Sequence, residues 1–254
     1  MRIVIKIGTS TLAHATGRLN IKRVESLCKV MSDLKNAGNE LILVSSGAIG
    51  MGVGKLSLPC RPDDMPTKQA AAAVGQCELM YVYDKLFSEY NHTVAQILLI
   101  GEDVEIENRK KNFENTLFRL LELGAIPIVN ENDTVSTDEI GIGENDTLAA
   151  IVASAIDADL LVILSDIDGL FTADPHKVKD ATLISEVTKI TDEMIAKTEG
   201  TSGKFGTGGM ITKLKAAKLA VDNGTEMIIA NGDNPEILYD IVEGKTVGTR
   251  FLVR

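Results

Sequence analysis

The sequence predicts an α/β protein, a three-layer α/β/α sandwich around a mostly parallel central sheet. Two observations carry this. The short runs Ile3–Ile7, Leu41–Ser45, Val94–Leu99, Ile126–Val129, Leu160–Leu164 and Met227–Ala230 are almost continuously apolar, as strands buried on both faces are. Segments with helical spacing separate them, and strand–helix alternation is the pattern of a parallel sheet covered on both sides.

Taken in order, the first strand, Ile3–Ile7, leads into Gly8-Thr9-Ser10. Ile21, Val24, Leu27, Met31 and Leu34 then recur at three and four, and Gly38 follows as a C-cap. The strand Leu41–Ser45 runs into Ser46-Gly47-Ala48-Ile49-Gly50, small residues that open a helix. Gln69–Gly75, with its four alanines, suits a helix lying close against a neighbour. Phe113, Leu117 and Leu120 form an apolar stripe that stops before Gly124. Val135–Asn145 has no period and reads as a loop or small hairpin. Leu148–Ile156 is an apolar helix, with Asn145 or Asp146 available as its N-cap. Asp174-Pro175 is turn chemistry. Ile211, Leu214 and Val221 mark a helix that ends at Asn223-Gly224. The 254 residues are expected to form one domain, 1–254, with approximate lobes 1–158 and 159–254 meeting near Asp157–Asp159.

Composition excludes several classes. A net charge of −10 disfavours nucleic acid or an anionic membrane as the main partner. Cys28, Cys60 and Cys77 form no C-x-x-C pair, and His14, His92 and His176 stand far apart, so neither a disulfide framework nor a protein-held metal is indicated. The chain opens on Met-Arg-Ile-Val-Ile-Lys without signal-peptide character, and no apolar stretch approaches the ~20 residues of a membrane helix. A cytoplasmic location is expected.

Three glycine loops carry the chemistry. Lys6 and Gly8 at the first strand's end would let backbone N–H groups and a point charge meet a phosphate. Ser46-Gly47 at the second strand's end lies where open α/β sheets place ligands. Either loop alone also fits a plain turn. The third, Gly203–Lys213, sets Gly206, Thr207, Gly208, Gly209, Met210, Ile211 and Thr212 ahead of Lys213, bringing free N–H groups and a helix dipole to one place. Lys213 near the start of that helix opposes the dipole, which implies an anion beside it. A Walker loop is excluded: around Gly54-Lys55, Ile49 and Leu56 stand where Gly and Ser or Thr belong. Two amide and carboxylate clusters, Asn130-Glu131-Asn132-Asp133 and Glu144-Asn145-Asp146, could accept an ammonium group, and Ser165-Asp166 ends another strand.

Lys6-Ile7-Gly8-Thr9-Ser10, Ser45–Ala48, Lys68-Gln69 with Ala73–Gln76, Asn130–Asp133, Ser165-Asp166 with Gly169-Leu170, Thr172–Pro175 and Gly206–Lys213 together resemble the amino acid kinase family. Within it they look like the branch that phosphorylates the γ-carboxylate of L-glutamate, the first step of proline synthesis. The resemblance runs from Ile3 to about Gly248. It implies that Lys6 and Lys213 contact the transferring phosphoryl group while Asp146 holds both lysines. It implies that Ser46, Asp133 and Asn145 bind glutamate. It places Lys6, Gly8, Ser165, Asp166 and Thr207 through Lys213 around ATP, with Mg²⁺ held chiefly by the ATP phosphates and water. An ionised carboxylate needs no general base, which suits the absence of a candidate catalytic histidine. A homo-oligomer and feedback inhibition by proline are further implications.

Three departures stand out. Many members of that branch carry a C-terminal PUA domain, and none is expected here. Glu144 stands where the family often has Asp. Asp168 follows Ser165-Asp166-Ile167 at a variable position. The rival readings are a kinase of the same fold acting on acetylglutamate, aspartate, carbamate or UMP, and a non-catalytic amino-acid sensor; retention of Lys6 and Lys213 argues against the latter.

Overall fold

In the computed structural model, residues 1–14, 18–136, 145–173, 178, 180–192, 194–195 and 209–253 are described. Their strands are β1 (Arg2–Ile7), β2 (Glu40–Ser45), β3 (Val94–Leu99), β4 (Ile126–Glu131), β5 (Leu160–Ser165), β6 (Glu186–Val187), β7 (Glu226–Asn231) and β8 (Thr249–Phe251). They make one sheet in the order β3-β4-β2-β1-β5-β7-β8-β6. All pairings are parallel except β7 with β8. The chain builds outward from β1 in both directions, so β1 and β5 flank the point where strand order reverses. Crevices outside the carboxyl ends of the strands at such a point are where open α/β sheets bind ligands.

Alternation along the strands decides what faces that crevice. Ile3, Ile5 and Ile7 join Leu160, Val162 and Leu164 in a core covered by α2 (Ile21–Asn36) and α4 (Met65–Ser88). The opposite parity, Val4 with Leu161 and Ile163, packs under α6 (Glu107–Glu122), which follows the short α5 (Gly101–Glu105), and under α7 (Asn145–Ala155) and α8 (Gly209–Asp222). Lys6 shares the parity of Val4, so it stands among apolar neighbours on the face covered by α7 and α8.

The alanine-rich segment is the first half of α4, and it does lie close against a neighbour. A Cβ on Gly75 would sit 1.7 Å from the Ala48 carbonyl oxygen, and one on Gly52 would sit 1.8 Å from that of Ala71. Only glycine permits this approach between α4 and α3 (Ala48–Lys55). Gly47 begins α3 at φ 106°, in the left-handed region. α7 starts at Asn145, three residues ahead of the apolar run from Leu148. Asn145 and Asp146 are therefore helical, and both side chains are committed to partners other than a cap. The expected loop 135–145 is described only at its ends, and Thr207, Gly208, Glu144 and Asp174-Pro175 lie outside the described residues. β6 and β8 escaped the sequence reading because two or three residues leave no periodicity to detect.

Candidate active site

Beyond β1, the chain turns at Gly8 into a short helix, α1 (Thr9–Leu12). A Cβ on Gly8 would lie 3.3 Å from Lys6 Nζ, so glycine leaves the ammonium group room. That group meets Asp146 Oδ1 at 2.7 Å. From the other side Lys213 Nζ donates to Asp146 Oδ2 at 3.2 Å and to the Gly209 carbonyl at 3.1 Å. Thr212 Oγ1 donates to the same carboxylate at 3.1 Å. One aspartate thus holds lysines from opposite ends of the chain. The burial is nearly complete: Asp146 is 2% exposed, Lys6 8% and Lys213 9%.

Burial alone would raise the Asp146 pKa, but the ammonium groups of Lys6 and Lys213 outweigh it and hold the carboxyl below its usual value. The trio therefore keeps a net positive charge. The anion that Lys213's position demands is Asp146 itself, which satisfies one lysine charge of the two.

Next to it on α7, Asn145 faces the end of β2. Its Nδ2 donates to the Ser45 carbonyl at 3.2 Å, to Ser46 Oγ at 2.7 Å and to Asn130 Oδ1 at 3.0 Å. Asn130 Nδ2 in turn donates to Gln76 Oε1 at 2.9 Å. The Ser46 N–H is held by the Ile7 carbonyl at 3.1 Å, which ties this loop to the end of β1.

Asp133 sits in the turn after β4. Burial raises its pKa to about 6, the Glu131 charge adds to the effect, and Arg61 opposes it. The loop is anchored by Ser136, whose hydroxyl donates to Glu131 Oε1 at 2.7 Å and whose carbonyl accepts from Gln69 Nε2 at 3.3 Å.

On the other side of β1, the pairing of Ile7 with Leu164 sets Ser165, the last residue of β5, level with Gly8. Ser165 Oγ donates to Asp166 Oδ1 at 3.1 Å, and its carbonyl accepts from the Gly232 N–H at 2.7 Å. Asp168 Oδ1 accepts from Asn231 Nδ2 at 2.7 Å. Met210 packs against the core beneath α8, and Ile211 is half-buried.

The structure thus joins Lys6, Asp146, Lys213, Thr212 and Gly209 in one cluster. It joins Asn145 and Ser46 in a second, adjacent to the first along α7. Sequence reasoning named Gln76 and Asn130 only as members of motifs and gave neither a role of its own. The available signal was an amide side chain directly after Gly75, on a helix otherwise burying alanine. Among the described residues, no group of three His, Cys, Asp or Glu side chains could hold a metal ion. No described helix is long and apolar enough to cross a membrane.

A sheet with this switch point, lysines clamped at its carboxyl edge and a glycine-led helix opposite define a phosphoryl-transfer protein. The chain belongs to the amino acid kinase family, whose model matches residues 1–231. Glutamate 5-kinase of Clostridium perfringens is 52% identical over 257 residues, covering 100% of this chain and 96% of that protein. Glutamate 5-kinase of Listeria innocua is 50% identical, covering 98% and 92%. Among solved structures, isopentenyl phosphate kinase of T. acidophilum superposes with a TM-score of 0.66 at 20% identity, covering 99% of this chain and 100% of that one. UMP kinase from Bacillus anthracis gives 0.66 at 17%, covering 98% and 95%. At such identities the two structures establish the shared fold alone.

Proposed function

We propose that this chain catalyses the ATP-dependent phosphorylation of the γ-carboxylate of L-glutamate to L-glutamyl 5-phosphate, the first step of proline biosynthesis. The observation that carries the reading is the Lys6–Asp146–Lys213 clamp beside Asn145 and Ser46, in a chain half identical to glutamate 5-kinases along nearly its whole length.

In this mechanism a γ-carboxylate oxygen attacks the γ-phosphorus of ATP in line. The bond from phosphorus to the bridging oxygen breaks, and ADP leaves. The nucleophile is already ionised, so no base takes part; positioning and charge neutralisation supply the catalysis. Lys6 and Lys213 neutralise charge on the phosphoryl oxygens, and Asp146 fixes their spacing. Ser46, Asn145 and Asp133 bind glutamate, with Asp133 and Asn145 supplying oxygens for its ammonium. Ser165, Asp166 and the segment Thr207–Lys213 receive the nucleotide. The described residues offer no carboxylate cluster for a metal, so Mg²⁺ would be held chiefly by the ATP phosphates and water and would offset charge there.

The lobes follow the same division, with acceptor groups within 1–158 and nucleotide groups mostly within 159–254. We further propose a soluble cytoplasmic homo-oligomer, inhibited by proline at or overlapping the glutamate site. The test is ADP release with Mg²⁺ and ATP across glutamate, acetylglutamate, aspartate, carbamate and UMP, with and without proline. Turnover on glutamate with hydroxylamine-trappable acyl phosphate is expected. Activity on UMP but not on glutamate would overturn the reading.

A further inference from the structure

The side chains behind the acceptor site form a chain of amides whose polarity is fixed at one end. The Ser45 carbonyl can only accept, so the Asn145 amide must turn its Nδ2 toward it. That same Nδ2 reaches Asn130 Oδ1, which orients the Asn130 amide, and Asn130 Nδ2 then needs an acceptor. Gln76 Oε1 is that acceptor. Among the described residues Asn145 Oδ1 takes no hydrogen bond, so the relay leaves an acceptor oxygen free on a half-buried residue at the acceptor site.

Gln76 makes this arrangement at a cost. It is 7% exposed, and its Nε2 is buried without a partner. An unpaired buried donor is unfavourable, and an apolar side chain of the same shape would avoid it. A glutamine is therefore poorly explained by packing and well explained by the need to hold Asn130.

We propose that Gln76 is a positioning residue for acceptor recognition: by holding Asn130 with its Oδ1 on Asn145 Nδ2, it steadies the Asn145 amide in the orientation the Ser45 carbonyl selects, so that Oδ1 accepts from the ammonium of the acceptor. The inference rests on the amino-acid acceptor of the preceding reading. In the Gln76→Met variant Asn130 Nδ2 loses its acceptor and the Asn130 amide is free to turn, presenting a donor to the Asn145 donor. One buried orphan replaces another, so stability should change little.

The experiment compares wild type, Gln76→Met and Gln76→Glu, the last retaining an oxygen toward Asn130. It measures kcat and KM for glutamate, KM for ATP, the thermal midpoint, and the inhibition constant of glutarate, which is glutamate without its ammonium. For Gln76→Met the glutamate KM should rise on the order of tenfold or more, the range of one hydrogen bond to a charged group. Its ATP KM, glutarate inhibition constant and thermal midpoint should stay close to wild type, and Gln76→Glu should recover part of the glutamate KM. Equal loss for glutamate and glutarate, no loss for either, or a midpoint that collapses in both variants would overturn the proposal. A wild-type enzyme inactive on glutamate would instead overturn the functional reading beneath it.

Discussion

Replacing Asp146 with Asn removes one charge and almost no volume, and it isolates what the carboxylate does. At an effective dielectric of about 20, unit charges separated as Lys6 and Asp146 are (2.7 Å) attract by about 6 kcal/mol. At the 3.2 Å of Lys213 the figure is about 5 kcal/mol. Desolvation of three nearly buried charges offsets most of that, and breaking a buried pair by removing one partner typically costs about 3–5 kcal/mol. For a chain of this size each kcal/mol moves the melting temperature by about 2–4 °C, so Asp146→Asn should melt on the order of 10 °C lower. Two unneutralised ammonium groups also push apart, and displacement of a clamp by an ångström costs about a hundredfold in rate. Scanning calorimetry and steady-state ADP release test both. Saturating ATP should recover part of the lost melting temperature, because its phosphates supply the missing anion. The sign with pH is also fixed. The folded Asp146 pKa lies below its unfolded value of about 3.9, so its stabilisation is present above that pH and disappears as pH falls through the depressed folded pKa. The gap between wild type and variant should hold from neutral pH down to about 4 and close below it. A variant within about 2 °C of wild type at pH 7, turning over at a comparable rate, would refute the clamp.

Other consequences can be measured directly. Lys213→Ala should cut kcat by orders of magnitude while the protein stays folded, since the lost contact is made mainly in the transition state; unaltered glutamate turnover would contradict the mechanism. Asp133, with its folded pKa raised to about 6, disfavours the folded state as pH rises from its unfolded pKa through 6. Asp133→Asn should flatten that loss in a pH series of melting curves. In the wild type, glutamate KM should climb as pH falls below about 6, where Asp133 takes up a proton and ceases to attract an ammonium. Gly75→Ala drives a methyl group into the Ala48 carbonyl and the Gly52 nitrogen, both backbone and unable to yield as a side chain would. It should destabilise by at least the 1–3 kcal/mol typical of overpacking, read as a lower denaturation midpoint at unchanged slope.

What the sequence made legible follows from which signals are local. The buried strands declared themselves because parallel strands covered on both faces are apolar throughout, and the helices because their stripes recur. Lys6 and Lys213 were legible because each stands beside glycines in the sequence, the pattern expected of a phosphate loop. Lys213's anion was legible only through the family resemblance, which named Asp146: the two are 67 residues apart, and only the packing of α7 on α8 brings them together. Asn145 and Asp146 looked like capping residues because the capping preference is local, whereas their tertiary partners are not. Gln76 had its partner hidden for the same reason. Nothing near it in sequence announces an Asn130 that it meets across 54 positions.

The placement of Asp146 also bears on why two lysines can sit so deep. Taking an ammonium group out of water is costly, and two of them side by side also repel. A single carboxylate between them offsets one of the two charges and leaves one positive charge over. Had two carboxylates been present, the site would be neutral and the incoming phosphate would gain only dipoles. Had there been none, two buried ammonium groups would face each other with no counter-charge. One aspartate for two lysines is the ratio that keeps a net charge in a dry place, and in the proposed reaction that charge matches the negative charge of the phosphoryl oxygens during transfer.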